Sequence, residues 1–154
     1  MTTHANPVTL PAPVARPDNH LFTVSAVYEA FSRGDVPSML GLLSDDVAFD
    51  AEEPASTAAA AGHPLLSPRR GKDDVRDFFA TFAQCELHAF ELIDLMSSTD
   101  QVAVHVFIDY TTPAGVRLQD DEIHRWTFAA DGRAATLKHY VDTARHLAAW
   151  FPDR

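Results

Sequence analysis

Residues 87–142 read LHAFELIDLMSSTDQVAVHVFIDYTTPAGVRLQDDEIHRWTFAADGRAATLKHYVD. Apolar side chains recur at every second position along much of this stretch, which is the spacing of strands with one buried face. Turn-forming residues at Thr99-Asp100, Pro113-Ala114-Gly115 and Asp131-Gly132 divide it into strand-sized pieces. The predicted strands are Leu87–Ser97, Val102–Thr111, Arg117–Phe128 and Ala134–Asp142. This half of the chain therefore predicts an antiparallel meander.

The part that precedes the meander has helical spacing instead. From a cap at Asp18 or Asn19, an apolar stripe recurs every three or four residues until Gly34 ends the first helix. Asp35 caps a shorter second helix, and Val47–Asp50 predicts a short strand. A third helix is predicted over residues 72–83 and a last one over Thr143–Trp150. Helices and strands are segregated along the chain, so the predicted fold class is α+β.

Two segments break these patterns. Residues 1–17 hold four prolines, which disfavour both helix and strand, so we expect a flexible arm followed by one domain over residues 18–154. Residues 51–70 are rich in alanine and proline and form a long irregular connection. A loop of that length in a compact domain is usually functional or disordered, so a mobile lid over a cavity and plain disorder both stay open here.

Composition excludes several classes of function. The 154 residues allow one domain, and 46% of them are hydrophobic, as in ordinary globular proteins. The formal net charge of −10 argues against a nucleic-acid partner, which attracts basic surfaces. No apolar run approaches the roughly 18 residues that a membrane span needs, and one cysteine allows no disulfide framework. We therefore expect a soluble, cytoplasmic protein.

Several short motifs together resemble a known family. They are Val27-Tyr28-Glu29-Ala30-Phe31-Ser32-Arg33-Gly34-Asp35, Leu42-Leu43-Ser44-Asp45-Asp46-Val47, Arg70-Gly71-Lys72-Asp73-Asp74-Val75, His124-Arg125-Trp126-Thr127-Phe128 and His139-Tyr140-Val141-Asp142-Thr143. In order and spacing, over about residues 20–150, they resemble the SnoaL-like branch of the nuclear transport factor 2-like superfamily. The resemblance implies a curved antiparallel sheet wrapped into a cone, three N-terminal helices closing it, a short C-terminal helix and an apolar pocket. It also implies a homodimer formed through the outer face of the sheet.

The resemblance does not imply one reaction, because the superfamily includes polyketide cyclases, ketosteroid isomerase, epoxide hydrolases, dehydratases and proteins without known chemistry. The ketosteroid isomerase positions for the oxyanion tyrosine, the general base and the protonated aspartate fall on Val27, Ala51 and His124. At none of these three positions does this sequence have the residue that ketosteroid isomerase has there. We therefore do not expect steroid isomerisation by that mechanism.

The predicted turns bring histidines together. If Asp131-Gly132 is a two-residue hairpin turn, His124 lies opposite His139 on the neighbouring strand. If the previous turn is centred on Ala114-Gly115, His105 lies opposite His124. The three imidazoles would then form one row inside the cone, since opposed Cβ atoms lie about 4.5–5.5 Å apart. A three-residue turn at Pro113–Gly115 would instead place Val104 opposite His124.

Histidine exchanges protons near neutral pH, so such a row suits acid/base catalysis without a cofactor. The predicted catalytic residues are His124 as acid/base, His139 or His105 orienting it, and Asp50 as a candidate second acid. The predicted ligand-contacting residues are Tyr28, Phe31, Phe49, Phe78, Phe82, Phe107, Glu122, Trp126, Leu137 and Val141. The favoured hypothesis is a cyclase, dehydratase or isomerase acting on a small apolar or cyclic molecule. There are three alternatives: a non-catalytic binding protein, an interaction domain with a filled cone, and a metal held by the histidine row. In the favoured hypothesis we expect no metal.

Overall fold

The computed structural model describes residues 18–154 and has an α+β fold. Its helices are α1 (Asp18–Ser32), α2 (Val36–Gly41), α3 (Thr57–Ala60), α4 (Gly71–Phe82) and α5 (Thr143–Trp150). Its strands are β1 (Leu43–Phe49), β2 (Arg69–Arg70), β3 (Glu86–Ser97), β4 (Gln101–Thr111), β5 (Arg117–Phe128) and β6 (Ala134–Tyr140). The predicted flexible arm, residues 1–17, lies outside the described residues.

The strands form one curved, unclosed sheet in the order β2-β1-β6-β5-β4-β3. Neighbouring strands are antiparallel except β1 and β6, which run parallel. The predicted fold class and the antiparallel meander β3-β4-β5-β6 are therefore confirmed. None of the helices within residues 18–154 is long and apolar enough to cross a membrane.

The concave face of the sheet is covered by α1, α2 and α4. The apolar stripe of α1 buries Val24 and Val27, and α4 buries Val75 and Phe78. These side chains belong to one core with the inward-facing residues of the strands. Burying one such side chain contributes about 1.5–3 kcal/mol, so this core fixes the helices against the sheet.

The segment 51–70 is not the structureless loop that the sequence predicted. Ser56 caps α3 by accepting a hydrogen bond from the Ala59 N–H (3.1 Å), and residues 69–70 pair with β1 as β2. His63, Leu65 and Leu66 are buried. Because these three side chains are buried in the fold, plain disorder is wrong for this segment; the motion of a lid stays a prediction.

The pairing of β4 with β5 differs from the predicted register. The Thr112 N–H donates to the Val116 carbonyl (2.9 Å), so the turn has three residues rather than two. Val104 therefore faces His124, and His105 faces Ile123. Because side chains alternate along a strand, this one-residue difference exchanges the two faces of β4. The placement of His105 and Phe107 inside the cone was wrong; Val102, Val104 and Val106 are buried there instead.

The pairing of β5 with β6 confirms the predicted contact between His124 and His139. The turn that leads to it was predicted as two residues, but the Ala129 N–H donates to the Arg133 carbonyl (2.8 Å), which makes a three-residue turn. A register shift between Thr127 and Phe128 compensates for the extra residue. Strand β6 ends at Tyr140, two residues before the predicted end.

Candidate functional site

An apolar cavity of about 80 Å³ lies between the concave face of the sheet and the helices. It is lined by many of the predicted ligand-contacting residues: Tyr28, Phe31, Phe49, Phe78, Phe82, Glu122, Trp126 and Leu137. His124 and His139 also line it. Pockets for drug-sized ligands typically measure roughly 300–1,000 Å³. A ligand of this cavity is therefore compact, or the walls move to admit a larger one.

His124 on β5 is held at both ring nitrogens. Its Nδ1 lies 2.6 Å from the Tyr28 hydroxyl oxygen, and its Nε2 lies 2.9 Å from a carboxylate oxygen of Glu122. Glu122 and His124 are two positions apart on one strand and so share its inner face. The Trp126 indole N–H donates to the same Tyr28 oxygen (3.1 Å). The network leaves His124 without a free nitrogen for a ligand.

The hydrogen-bond directions follow from the charge of Glu122. Burial favours a raised pKa for this carboxyl, but hydrogen bonds from His124 and His146 hold its pKa below the usual range. Ionised Glu122 can only accept, so His124 carries its hydrogen on Nε2 and accepts at Nδ1 from the Tyr28 hydroxyl. Burial raises the pKa of Tyr28, which keeps that hydroxyl protonated. Burial also lowers the pKa of His124, which keeps its ring neutral.

His139 on β6 forms a second histidine–carboxylate pair, with Asp50. The Asp50 carboxylate lies 2.7 Å from His139 Nδ1 and accepts the His139 backbone N–H at 2.9 Å. Asp50 follows directly after β1 and has φ +50°, a conformation that few non-glycine residues adopt. Such strain persists where the surrounding structure requires it, often at functional sites. In this conformation the Asp50 carboxylate contacts the His139 imidazole.

Within residues 18–154, the hydrogen bonds of His139 involve its backbone N–H and Nδ1, and its remaining ring nitrogen, Nε2, has no partner there. Its ring stacks on Phe78 (ring centroids 5.7 Å apart) and meets the His124 ring edge-on (4.7 Å, 73°). Burial opposes a charge on His139, but the Asp50 carboxylate outweighs it and raises the pKa above the ordinary value. His139 is thus a paired imidazole with one ring nitrogen available to a ligand.

A third buried cluster, which sequence analysis did not assign a role, lies beside Glu122. His146 Nε2 lies 3.0 Å from an Asp120 carboxylate oxygen and 3.1 Å from a Glu122 oxygen. Asp120 shares the even-numbered face of β5 with Glu122 and His124, a signal that was visible in the sequence. His146 lies on α5, and no sequence pattern indicated that this residue would meet β5.

The ligand atoms of Asp120, Glu122 and His146 lie within 4.8 Å of one another, a spacing at which a cation could bind. Both carboxylates, however, accept from His146 Nε2, which therefore carries a hydrogen in the position that a metal would need. We therefore treat these residues as a hydrogen-bonded cluster.

Four of the predicted site residues do not line the cavity: His105, Phe107, Val141 and Asp50. His105 is on the outer face of β4, where its Nε2 lies 3.1 Å from an Asp121 carboxylate oxygen, and 35% of its side chain is exposed. Phe107 has the same orientation as His105, since both occupy odd positions of β4. Val141 follows the end of β6 and lines a separate groove with Asp50 and His139.

Comparisons with known proteins agree with this architecture. Among curated protein sequences, none matches the chain. An NTF2-like protein of unknown function from Burkholderia pseudomallei is 25% identical and superposes with a TM-score of 0.70, covering 86% of this chain and 98% of that protein. TerC co-crystallised with polyporic acid is 21% identical, with a TM-score of 0.68 and coverage of 85% and 97%. A Mycobacterium tuberculosis protein in complex with estradiol-17beta-hemisuccinate is 19% identical, with a TM-score of 0.65 and coverage of 82% and 96%.

These structural matches show a shared fold. The sequence match is more specific, because a family model described as a SnoaL-like domain matches residues 24–137, which include α2, β1, the helix α4 and most of the sheet. The chain therefore belongs to the family of SnoaL-like domains and has the NTF2-like fold.

Proposed function

We propose that this protein is a small-molecule enzyme of the cyclase, dehydratase or isomerase type, in which His139 exchanges a proton with the ligand. The observation that carries the proposal is the Asp50–His139 pair, whose free Nε2 belongs to a residue lining an apolar cavity. This assignment differs from the sequence-based hypothesis, which gave the acid/base role to His124. The two nitrogens of His124 are already occupied by Tyr28 and Glu122.

The chemistry of the proposed step is a proton transfer. Neutral His139 takes a proton from the ligand at Nε2, and Asp50 stabilises the resulting imidazolium through Nδ1–H. The imidazolium then returns the proton to another atom of the ligand, or to a leaving oxygen. Because Asp50 raises the pKa of His139, the transfer operates closer to neutral pH than a desolvated imidazole alone would allow. No cofactor takes part in this step.

The ligand class follows from the cavity. Its lining is mostly apolar and rich in aromatic side chains, and its polar groups include Glu122, His124 and His139. The cyclic ligands of two structural neighbours, polyporic acid and the estradiol derivative, support a ring-containing ligand. The volume of about 80 Å³ favours a compact one. We therefore propose cyclic ketones, quinones, lactones or epoxides of small size.

A non-catalytic binding protein is the second candidate. The saturation of both His124 nitrogens favours it, since an imidazole held in this way can contribute rigidity without exchanging protons. The enzyme would convert its bound ligand, whereas the binding protein would release it unchanged.

The test begins with a thermal-shift screen of those ligand classes. A ligand at 100 times its Kd adds about 2.7 kcal/mol of stability, which is visible as a rise in Tm. Turnover of each hit is then measured for the wild type, His139→Ala and His105→Ala. We expect His139→Ala to lower kcat/KM by about 10²–10⁴-fold while Kd changes little, because a general base is lost. His105→Ala is the matched control on the outer face, and its activity should equal that of the wild type.

Each other outcome contradicts a stated part of the proposal. Hits without turnover would make the protein a carrier or sensor. Equal turnover in His139→Ala would remove the acid/base role of His139. A screen without hits would favour an interaction domain with a filled cone.

We further propose that the protein forms a homodimer through the outer face of the sheet and that it is cytoplasmic. The outer face supports the dimer because Met96, Ile123 and Tyr140 line an apolar groove there.

A further inference from the structure

Two buried imidazole nitrogens on adjacent rings have no hydrogen-bond partner within residues 18–154. One is Nε2 of His63, a fully buried residue of the segment 51–70, and the other is Nδ1 of His146 on α5. The two ring centroids lie 5.7 Å apart. Leaving a buried donor or acceptor unpaired is destabilising, so two such atoms on neighbouring rings need an explanation.

The hydrogen positions of both rings can be inferred from their other contacts. His63 Nδ1 lies 3.1 Å from the Leu65 backbone nitrogen, whose N–H it accepts, so the hydrogen of neutral His63 is on Nε2. His146 Nε2 faces two carboxylates that accept from it, so neutral His146 has its hydrogen on Nε2 and a bare Nδ1. The two unpaired atoms are therefore a donor and an acceptor.

We propose that His63 is a positioning residue that acts on His139 through His146 and Glu122: its Nε2–H donates to Nδ1 of His146 and thereby holds His146 as a neutral imidazole. Two imidazoles in an N–H···N hydrogen bond of about 3 Å have centroids roughly 5 Å apart, so a small rotation of either ring closes the contact. Burial also lowers the pKa of His63 to about 3, which keeps this ring neutral and able to donate from one nitrogen only.

The consequence concerns the charge beside the proposed base. The charged groups that face His146 are Asp120 and Glu122 from β5 and His63 from the segment before β2; Arg145 of its own helix lies 3.7 Å from an Asp120 oxygen. Without a donor at Nδ1, His146 could take a second proton and become a cation between the two carboxylates. With His63 in place, it stays neutral, so the negative charge of Glu122 is not offset.

The negative charge of Glu122 acts on His124 and His139, two of the three histidines that line the cavity. Glu122 favours the protonated forms of both: it partly opposes the burial that lowers the pKa of His124, and it adds to the effect of Asp50, which raises the pKa of His139. His63 therefore acts on the proposed base through His146 and Glu122, without touching the ligand. This inference deepens the proposed function, but its test measures protonation in the ligand-free protein and needs no turnover.

The experiment is ¹⁵N NMR of the histidine rings in the full-length wild type across the neutral pH range. We expect His146 to show one protonated nitrogen, Nε2, and one bare nitrogen, Nδ1, at neutral pH. Two protonated nitrogens on His146 at neutral pH, or a proton on Nδ1 alone, would overturn the proposal. This measurement decides the matter even when no variant folds.

Variants then test the role of His63. In His63→Phe, which keeps a ring but lacks the donor, we expect His146 to gain a second proton on acidification and His139 to titrate at lower pH than in the wild type. His63→Gln retains an N–H donor at a similar distance and should restore the wild-type behaviour. His88→Phe, a substitution of an exposed histidine on β3, is the matched control and should change neither titration. An unchanged His146 in folded His63→Phe would contradict the proposal.

Discussion

At the scale of single residues, the Asp50–His139 pair makes a pH-dependent contribution to stability. In the folded protein the pKa of His139 lies above its unfolded value. The protonated pair therefore stabilises the fold fully below about pH 6.5, and this contribution is lost as pH rises through the raised pKa. The carboxylate also accepts two hydrogen bonds from His139, both in a site where each side chain is only 7% exposed.

We predict that Asp50→Asn lowers the free energy of unfolding by about 2 kcal/mol at pH 5.5 and by about half as much near pH 9, since a hydrogen bond to a charged group contributes roughly 1.5–3 kcal/mol. Asparagine tolerates the positive φ of this position, so the backbone is preserved. At high pH neutral His139 can move its hydrogen to Nε2 and accept from the new amide, which reduces the loss. Urea unfolding at the two pH values measures both quantities.

The chain offers a matched control for this substitution. Asp121 pairs with His105 at a similar distance, 3.1 Å, but the Asp121 side chain is 70% exposed. Exposed ion pairs contribute little, so Asp121→Asn should leave the unfolding free energy unchanged at either pH. A loss in Asp50→Asn that is equal at both pH values would show that His139 is not charged in the folded protein.

Sequence reasoning could predict some residues of the site and not others, for a physical reason. His124 and His139 lie on consecutive strands, so alternation and a short turn sufficed to bring them together. His63 and His146 come from a loop and a helix that are far apart in the chain, and no local periodicity relates them. Their contact depends on how α5 packs on the finished sheet, which only the folded structure shows.

At the scale of elements, one turn decides which face of β4 enters the cavity. The turn between β4 and β5 has Gly115 at φ +84°, a conformation that costs other residues about 1–2 kcal/mol. The motif Pro113-Ala114-Gly115 is compatible with a turn of two or of three residues. The two turns would direct opposite faces of β4 toward the cavity. Sequence analysis left this choice open and favoured the shorter turn, which is why His105 and Phe107 were misplaced.

We predict that Gly115→Ala lowers the free energy of unfolding by about 1 kcal/mol, because no side chain crowds the site and the cost is backbone strain alone. Gly41→Ala is the control: Gly41 lies in α2 with space around it and without a positive φ, so stability should stay the same or rise slightly. Chemical denaturation of both variants measures the difference. Equal stabilities would mean that the turn relaxes to accept alanine and does not hold the register by itself.

At the scale of the whole molecule, the sheet has one face that the helices cover and one that they leave open. On the outer face Met96 is 45% exposed and Tyr140 is 44% exposed, and both line a groove with Ile123 and Arg125. Arg125 and Lys138 lie over the Tyr140 ring at 5.8 and 5.4 Å and are also paired with Glu52. The face thus carries apolar groups together with both signs of charge, which suits a self-complementary contact with a second copy.

We predict that the wild-type chain sediments as a dimer at micromolar concentration and that Met96→Lys shifts it toward the monomer. A lysine at this position would bring a charge into two symmetry-related contacts and add to the positive charge of Arg125. Since 45% of Met96 is exposed, each lost apolar contact weakens association by about 1 kcal/mol. Sedimentation velocity over a dilution series measures the change. Phe22→Lys is the control, because Phe22 is an apolar residue 74% exposed on α1, away from the sheet. A monomeric wild type, or a dimer that Phe22→Lys dissociates and Met96→Lys does not, would place the interface elsewhere.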